Sequence, residues 1–240
     1  MTMLDNTITP IDNKRLNTKK KILDVAENLF AERGFTETSL RMITSFADVN
    51  LASVNYHFGS KKRLIQAVFD RFLALFIENL NRQLDILEKK STTHSVEEVL
   101  ETMVKPLFSL DQYQQNGTSK FMQLIGRAYS ESQGHIRRFL MEKYALPMER
   151  FYRLIYASLP DHSSYEVFLK LHFTLGAVIF TFAGNQALTA IADADFNEKL
   201  DAQVLTQKLI PYLSNGLRAN TKLESQNLNP SADTLPRSKK

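Results

Sequence analysis

Between Ser60 and Leu84 the apolar residues Leu64, Ile65, Val68, Phe69, Phe72, Leu73, Phe76, Ile77, Leu80 and Leu84 return every third or fourth position. That spacing draws one stripe along a helix, and the stripe has to be covered over its whole length. A chain holding such a rod must fold by packing other helices against it. Upstream, the pattern predicts three helices. The first starts near Thr18 as N-cap, carries Ile22, Val25, Ala26, Leu29 and Phe30 on one side, and ends at Gly34, a residue that accepts the left-handed C′ conformation. Ser39 caps a short helix with Leu40, Ile43 and Ala47 inward. Asn50 caps the next, with Leu51, Val54 and Phe58 inward, and Ser60 caps the rod itself.

Downstream, helices are expected at 95–109, 118–131, 135–158, 163–188 and 197–217, with Asp111 to Gly117 separating the first two. Pro147 should kink or break the third, because it cannot donate the i to i−4 bond. Strand-like alternation does not run far, so the expected class is all-α. Three short helices are joined by a long connector to a C-terminal bundle. Residues 1–16 read as a flexible arm, 17–78 as the N-terminal domain with the start of the connector, 79–218 as the bundle and 219–240 as a disordered tail.

Composition narrows the function classes. Cysteine is absent, which removes disulfides and thiolate chemistry. No G-x-S-x-G elbow, phosphate loop, H-E-x-x-H or dinucleotide turn occurs, so no enzyme, cofactor or metal site is expected. The N-terminus shows no secretory apolar core. The longest apolar run, Leu171 to Gly184, is shorter than the ~18 residues of a spanning helix, so a cytoplasmic protein without a membrane partner is expected.

The segment Ser39 to Lys61 (SLRMITSFADVNLASVNYHFGSK) forms two short helices around a tight turn. A helix-turn-helix of this kind places its second helix in the DNA major groove. The flanking helices break an electrostatic rule. Helix N-termini are partly positive and favour Asp or Glu, yet the first helix opens on Lys19, Lys20 and Lys21 and the fourth on Lys61, Lys62 and Arg63. DNA phosphates would supply the missing anions. On the second helix of the motif, Asn55 has the amide that can bind adenine bidentately. Tyr56 suits a phosphate or a thymine methyl, and His57 suits packing or a phosphate better than a metal.

The run Ile22 to Phe72 closely resembles the N-terminal domain of TetR-family transcriptional regulators. The matching features are A-x-x-L-F-A-E-R-G-F (Ala26–Phe35), T-S-L (Thr38–Leu40), A-D-V (Ala47–Val49) and Y-H-F-x-S-K-x-x-L (Tyr56–Leu64). Many members carry an aromatic where this chain has Asn55. The string LASVNYHFGSKK is also similar to the PsrA-type branch, which answers to long-chain fatty acids. The resemblance implies a DNA surface built from Lys20, Thr38, Ser39 and Arg41, then Asn50, Leu51, Ala52, Ser53, Asn55, Tyr56 and His57, then Ser60, Lys61 and Lys62. It also implies a homodimer held by the last two long helices, reading a palindromic double-stranded DNA operator and released by a small apolar effector, a fatty acid or acyl-CoA. The helix 163–188, apolar well round its circumference, agrees with burial on two sides. Effector-lining candidates are Phe108, Met122, Ile125, Phe139, Tyr144, Phe151, Tyr152 and Phe173, with Arg127 and Arg137 for a carboxylate head group. Two other classes stay open at this point: a helical lipid-binding protein that binds no operator, and an acyl-processing helical enzyme.

Overall fold

The computed structural model describes residues 10–131 and 134–220, without the side chains of residues 10–14, 137 and 202. The described residues form ten helices and no strand. The N-terminal three are α1 (Pro10–Arg33), α2 (Leu40–Ala47) and α3 (Leu51–Phe58), followed by the connector α4 (Lys61–Lys90). The bundle contains α5 (Val96–Tyr113), α6 (Gly117–Ser130), α7 (Gly134–Ala157), α8 (Ser164–Ala183), α9 (Asn185–Phe196) and α10 (Ala202–Arg218).

Three of the four expected N-caps fall where the sequence places them. Ser39, Asn50 and Ser60 accept the backbone N–H groups of Met42, Ser53 and Arg63 at 3.0, 2.8 and 3.2 Å. Between α2 and α3 the chain turns at Asp48, whose φ of 52° is left-handed, and Val49 donates back to the Thr44 carbonyl. Every apolar residue expected on the rod is buried in α4, and the stripe runs on to Leu87. At ~1.5 Å per residue this 30-residue helix is about 45 Å long. Its first half packs with Ile22, Phe30, Phe35, Ile43 and Val54 of the N-terminal helices, its middle with Leu107, Phe121 and Leu124 of the bundle. Around Leu87 a second core gathers Val99, Ile155, Val167 and Leu213.

Four expectations need correction. α1 begins at Pro10 rather than near Thr18, so residues 10–16 are helix and not arm. Proline suits a first helical position, where its missing N–H would be unpaired anyway. The segment Asp111 to Gly117 contracts to residues 114–116, because α5 runs on to Tyr113. The expected helix 163–188 ends at Gly184, and α9 follows as a separate helix that holds Asp193 and Asp195. Finally, the apolar stretch is longer than expected: α8 spans 20 residues and passes, by length and composition alone, for a membrane-crossing helix. Lys170 argues for another setting. It is buried in mid-helix, and its ammonium caps α10 by donating to the Leu217 carbonyl at 3.0 Å. Residues 1–9 and 221–240, parts of the expected arm and tail, lie outside the described residues.

The expected kink at Pro147 is present, and it acts one turn upstream. Tyr144 leaves helical geometry (φ −124°, ψ 23°), since the proline removes the bond to Lys143 and crowds its carbonyl. Ion pairs tie the outer helices: Arg150 reaches Asp85 and Glu88 of α4 at 2.6 and 2.7 Å, and Arg218 of α10 donates to Glu97 of α5 at 2.8 Å. The Arg218 guanidinium holds the Glu97 carboxyl down to about 2, from 4.5. A folded value below the unfolded one stabilises above the unfolded value and is lost as pH falls towards the folded one. Wild type should therefore melt higher than Glu97→Gln at pH 7, and the gap should close between pH 4.5 and pH 2 in a thermal-melt series.

Candidate nucleic-acid interface

α3 buries Val54 and Phe58 and turns Leu51, Ala52, Asn55 and Tyr56 to solvent. Leu51, expected inward, is 41% exposed, because the first turn of α3 overhangs the core rather than lying on it. Tyr56 stands out at 69% exposed. The ring of His57 meets it edge-on at 5.1 Å, and the Arg15 guanidinium lies 5.9 Å from its centroid. One groove of about 400 Å³ runs between Lys19, Asn55, Tyr56, His57, Gly59 and Arg63. A second, of about 450 Å³, lies between Arg15, Asn50, Ala52, Ser53 and Tyr56. Gly59, at φ 73°, makes the left-handed turn that brings α4 and its cations beside α3.

The electrostatics are those of a surface awaiting an anion. None of α2, α3 and α4 has an acidic residue in its first turn. Partial burial, then Lys19 and Arg15, push the His57 imidazole below its ordinary value. Partial burial also lowers the Lys61 ammonium, against the pull of Glu131 and Glu37. Lys20, Arg41 and Lys62 are exposed.

Thr38 departs from expectation. It is fully buried, and its hydroxyl donates to the carbonyls of Leu29 and Gly34 at 3.1 and 2.7 Å, so it locks the end of α1 and cannot reach a phosphate. Ser39, Asn50 and Ser60 act first as helix caps. Arg15 is the residue that sequence reasoning left out. Its signal was there, since Arg15 and Lys19 are four apart and share a helix face once α1 is extended to Pro10.

The set expected to line an effector site is only partly brought together. Phe108, Met122, Ile125, Phe139 and Tyr144 join one core, where Phe108 meets Phe182 edge-on at 5.6 Å and Tyr144 donates its hydroxyl to Asp70 of α4. Phe151 belongs to the second core, while Tyr152 and Phe173 face solvent, at 40% and 70% exposed. The side chain of Arg137 lies outside the described residues. Arg127 points away from the bundle core and donates to the Glu32 carbonyl at the end of α1, at 2.9 Å.

Arg127 is half of a clamp. One turn on, Glu131 accepts the backbone N–H groups of Phe35 and Thr36 at 3.1 and 2.7 Å and the Thr36 hydroxyl at 2.9 Å. The end of α6 thus holds the α1–α2 turn. Gly34 is required there twice over: its φ is 87°, and a Cβ would sit 2.2 Å from the Glu131 carboxylate. Deeper, buried Glu27 meets Arg71 and Lys120, each at 3.3 Å, and accepts from the Gln114 amide at 2.8 Å, tying α1 to α4 and α6.

The family model described as "Bacterial regulatory proteins, tetR family" matches residues 22–68, and "Tetracyclin repressor-like, C-terminal domain" matches 101–216. The chain belongs to the TetR family of transcriptional regulators. The probable HTH-type transcriptional regulator YttP of Bacillus subtilis is 29% identical over 163 residues, 67% of this chain and 73% of that protein. The negative transcriptional regulator IcaR of the biofilm operon in Staphylococcus aureus is 28% identical over 39% of this chain; the chain covers 48% of that relative. Among solved structures, a TetR-like regulator from Rhodococcus sp. RHA1 superimposes with a TM-score of 0.56 at 19% identity, over 85% of this chain and 97% of that one. The fatty acid degradation regulator FadR from Bacillus halodurans gives 0.54 at 18% identity over the same shares. TetR-family regulators bind DNA operators, typically as dimers, and are not enzymes.

The clamp makes the N-terminal domain depend on α6. Glu131→Ala strips two backbone donors and a hydroxyl of a charged acceptor, and should cost about 1–3 kcal/mol in urea denaturation.

Proposed function

We propose that this chain is a cytoplasmic repressor that binds a palindromic DNA operator as a homodimer and releases it when a small apolar effector occupies the bundle. The observation that carries the reading is the convergence of Arg15, Lys19 and Arg63 around the uncharged outward face of α3. The cations suit phosphates, which position a protein on the duplex, and the face between them suits base edges. This arrangement favours operator binding over a lipid carrier whose N-terminal helices serve other ends.

A second copy of the chain is the partner proposed for α8 and α10. Phe180 and Phe173 of α8 are 85% and 70% exposed, and Tyr212 of α10 is 71% exposed. A soluble monomer seldom leaves so apolar a face uncovered, and Gly176 and Gly216 leave room for close approach. Two-fold pairing sets two recognition helices at a fixed spacing, which a palindrome mirrors.

An effector that prefers a state with the recognition helices wrongly spaced lowers DNA affinity by linkage. The aromatic and methyl-rich core around Phe108, Met122 and Tyr144 suits an acyl chain, and FadR, a fold relative, is a fatty acid degradation regulator. Long-chain fatty acids and acyl-CoA are therefore the effectors to try. The signal would pass through α4 and the α6 clamp.

Footprinting the DNA upstream of the chain's own gene, with and without long-chain fatty acid, tests both halves. A protected palindrome that weakens steeply with salt and is lost on adding the acid is expected; no protection at any salt would leave the lipid carrier. Phe180→Glu puts a charge into the proposed dimer seam, and sedimentation should find it monomeric with operator affinity sharply reduced.

A further inference from the structure

We propose that α3 reads A·T base pairs alone, with Asn55 on an adenine and Leu51 and Ala52 against thymine methyls. The inference rests on the operator-binding reading above and names the base pairs that reading leaves open. It starts from a composition: α3 is LASVNYHF, without a single charged residue. Guanine is read in the major groove by Arg or Lys on its O6 and N7, and cytosine by Asp or Glu on its amino group. α3 offers neither kind of reader.

The geometry narrows it further. Leu51 and Asn55 lie one turn apart on the outward face, as do Ala52 and Tyr56, and all four are exposed. The N-terminal residues of a recognition helix are those that meet base edges. Here they are Leu51 and Ala52, and an apolar side chain in that place favours the thymine methyl. Asn50 is no bidentate reader, because its amide oxygen already accepts the backbone N–H and the hydroxyl of Ser53, both at 2.8 Å. The Asn55 carboxamide is exposed and makes no hydrogen bond to the described residues, which leaves its donor and acceptor free for adenine N7 and N6. The neighbouring cations stand to the sides. They belong to other helices than α3: Arg15 and Lys19 to α1, with Arg15 5.9 Å from the Tyr56 ring centroid, and Arg63 to α4 beside Gly59.

Selection from random duplexes with the full-length protein, followed by affinity measurements on single substitutions, tests the assignment. The expected result is A·T at the base pairs facing α3. Replacing thymine by uracil there should weaken binding roughly fourfold per methyl removed, and Leu51→Ala should abolish that difference at one position. Asn55→Ala should erase discrimination at one base pair per half-site, by roughly 5- to 150-fold. Both side chains are exposed, and circular dichroism will confirm that the variants fold. Enriched G·C pairs at those positions, an indifferent uracil substitution, or an equal loss on all sequences with Asn55→Ala would overturn the assignment while leaving operator binding intact. Failure to retain any duplex would overturn both.

Discussion

The structure depends on one continuous burial, the apolar stripe of α4 from Leu64 to Leu87. Fully covering side chains of this size is worth ~1.5–3 kcal/mol each. The stripe belongs to two cores at once: Phe69 and Leu80 share the core that joins the N-terminal helices to the bundle, and Leu87 belongs to the second, so neither domain can complete its interior without the same rod. A close-packed interior transmits displacement rather than absorbing it. The connector is therefore stiff in the middle and committed at both ends.

Polar contacts decide where the rod's neighbours stop. Buried Glu27 is surrounded by Arg71, Lys120 and Gln114, which satisfy a carboxyl that burial alone would penalise. The exposed pairs, such as Lys105 with Glu101, contribute far less and fix no geometry. The junction between the domains is thus specified by a few buried polar contacts laid over a continuous apolar seam.

Much of this was legible in the sequence because it is local. Caps, helical period and the breaker Gly34 act within four residues, and they gave α2, α3, α4 and the kink before Pro147. The motif residues then placed the family. What failed was set by packing rather than by spacing along the chain. Thr38 reads as a surface hydroxyl until the end of α1 is folded against it. Arg127 reads as a head-group ligand, and its partner Glu32 is 95 residues away. Leu51 follows the inward period of α3 correctly, yet the helix is so short that its first turn clears the core. Phe173 and Tyr152 read as bundle interior on residue type, which cannot tell an interior position from an exposed one. The break at Gly184 was hidden by apolar residues that continue past it into α9.

Glu131 brings the two themes together. It holds the α1–α2 turn through two backbone N–H groups, and its charge also acts on Lys61 at the start of α4. Drawing α6 away would have opposite effects on a DNA-facing surface. The loss of an anion beside Lys61 would make the surface more positive, while the loss of the clamp would free the turn that orients α2 and α3. The first effect works across partly exposed groups and is worth a few tenths of a kcal/mol after screening. The second removes charge-assisted hydrogen bonds that together are worth about 1–3 kcal/mol and the geometry they enforce. Position wins over potential, so an outward shift of α6 would weaken a DNA complex even as it left the surface more basic.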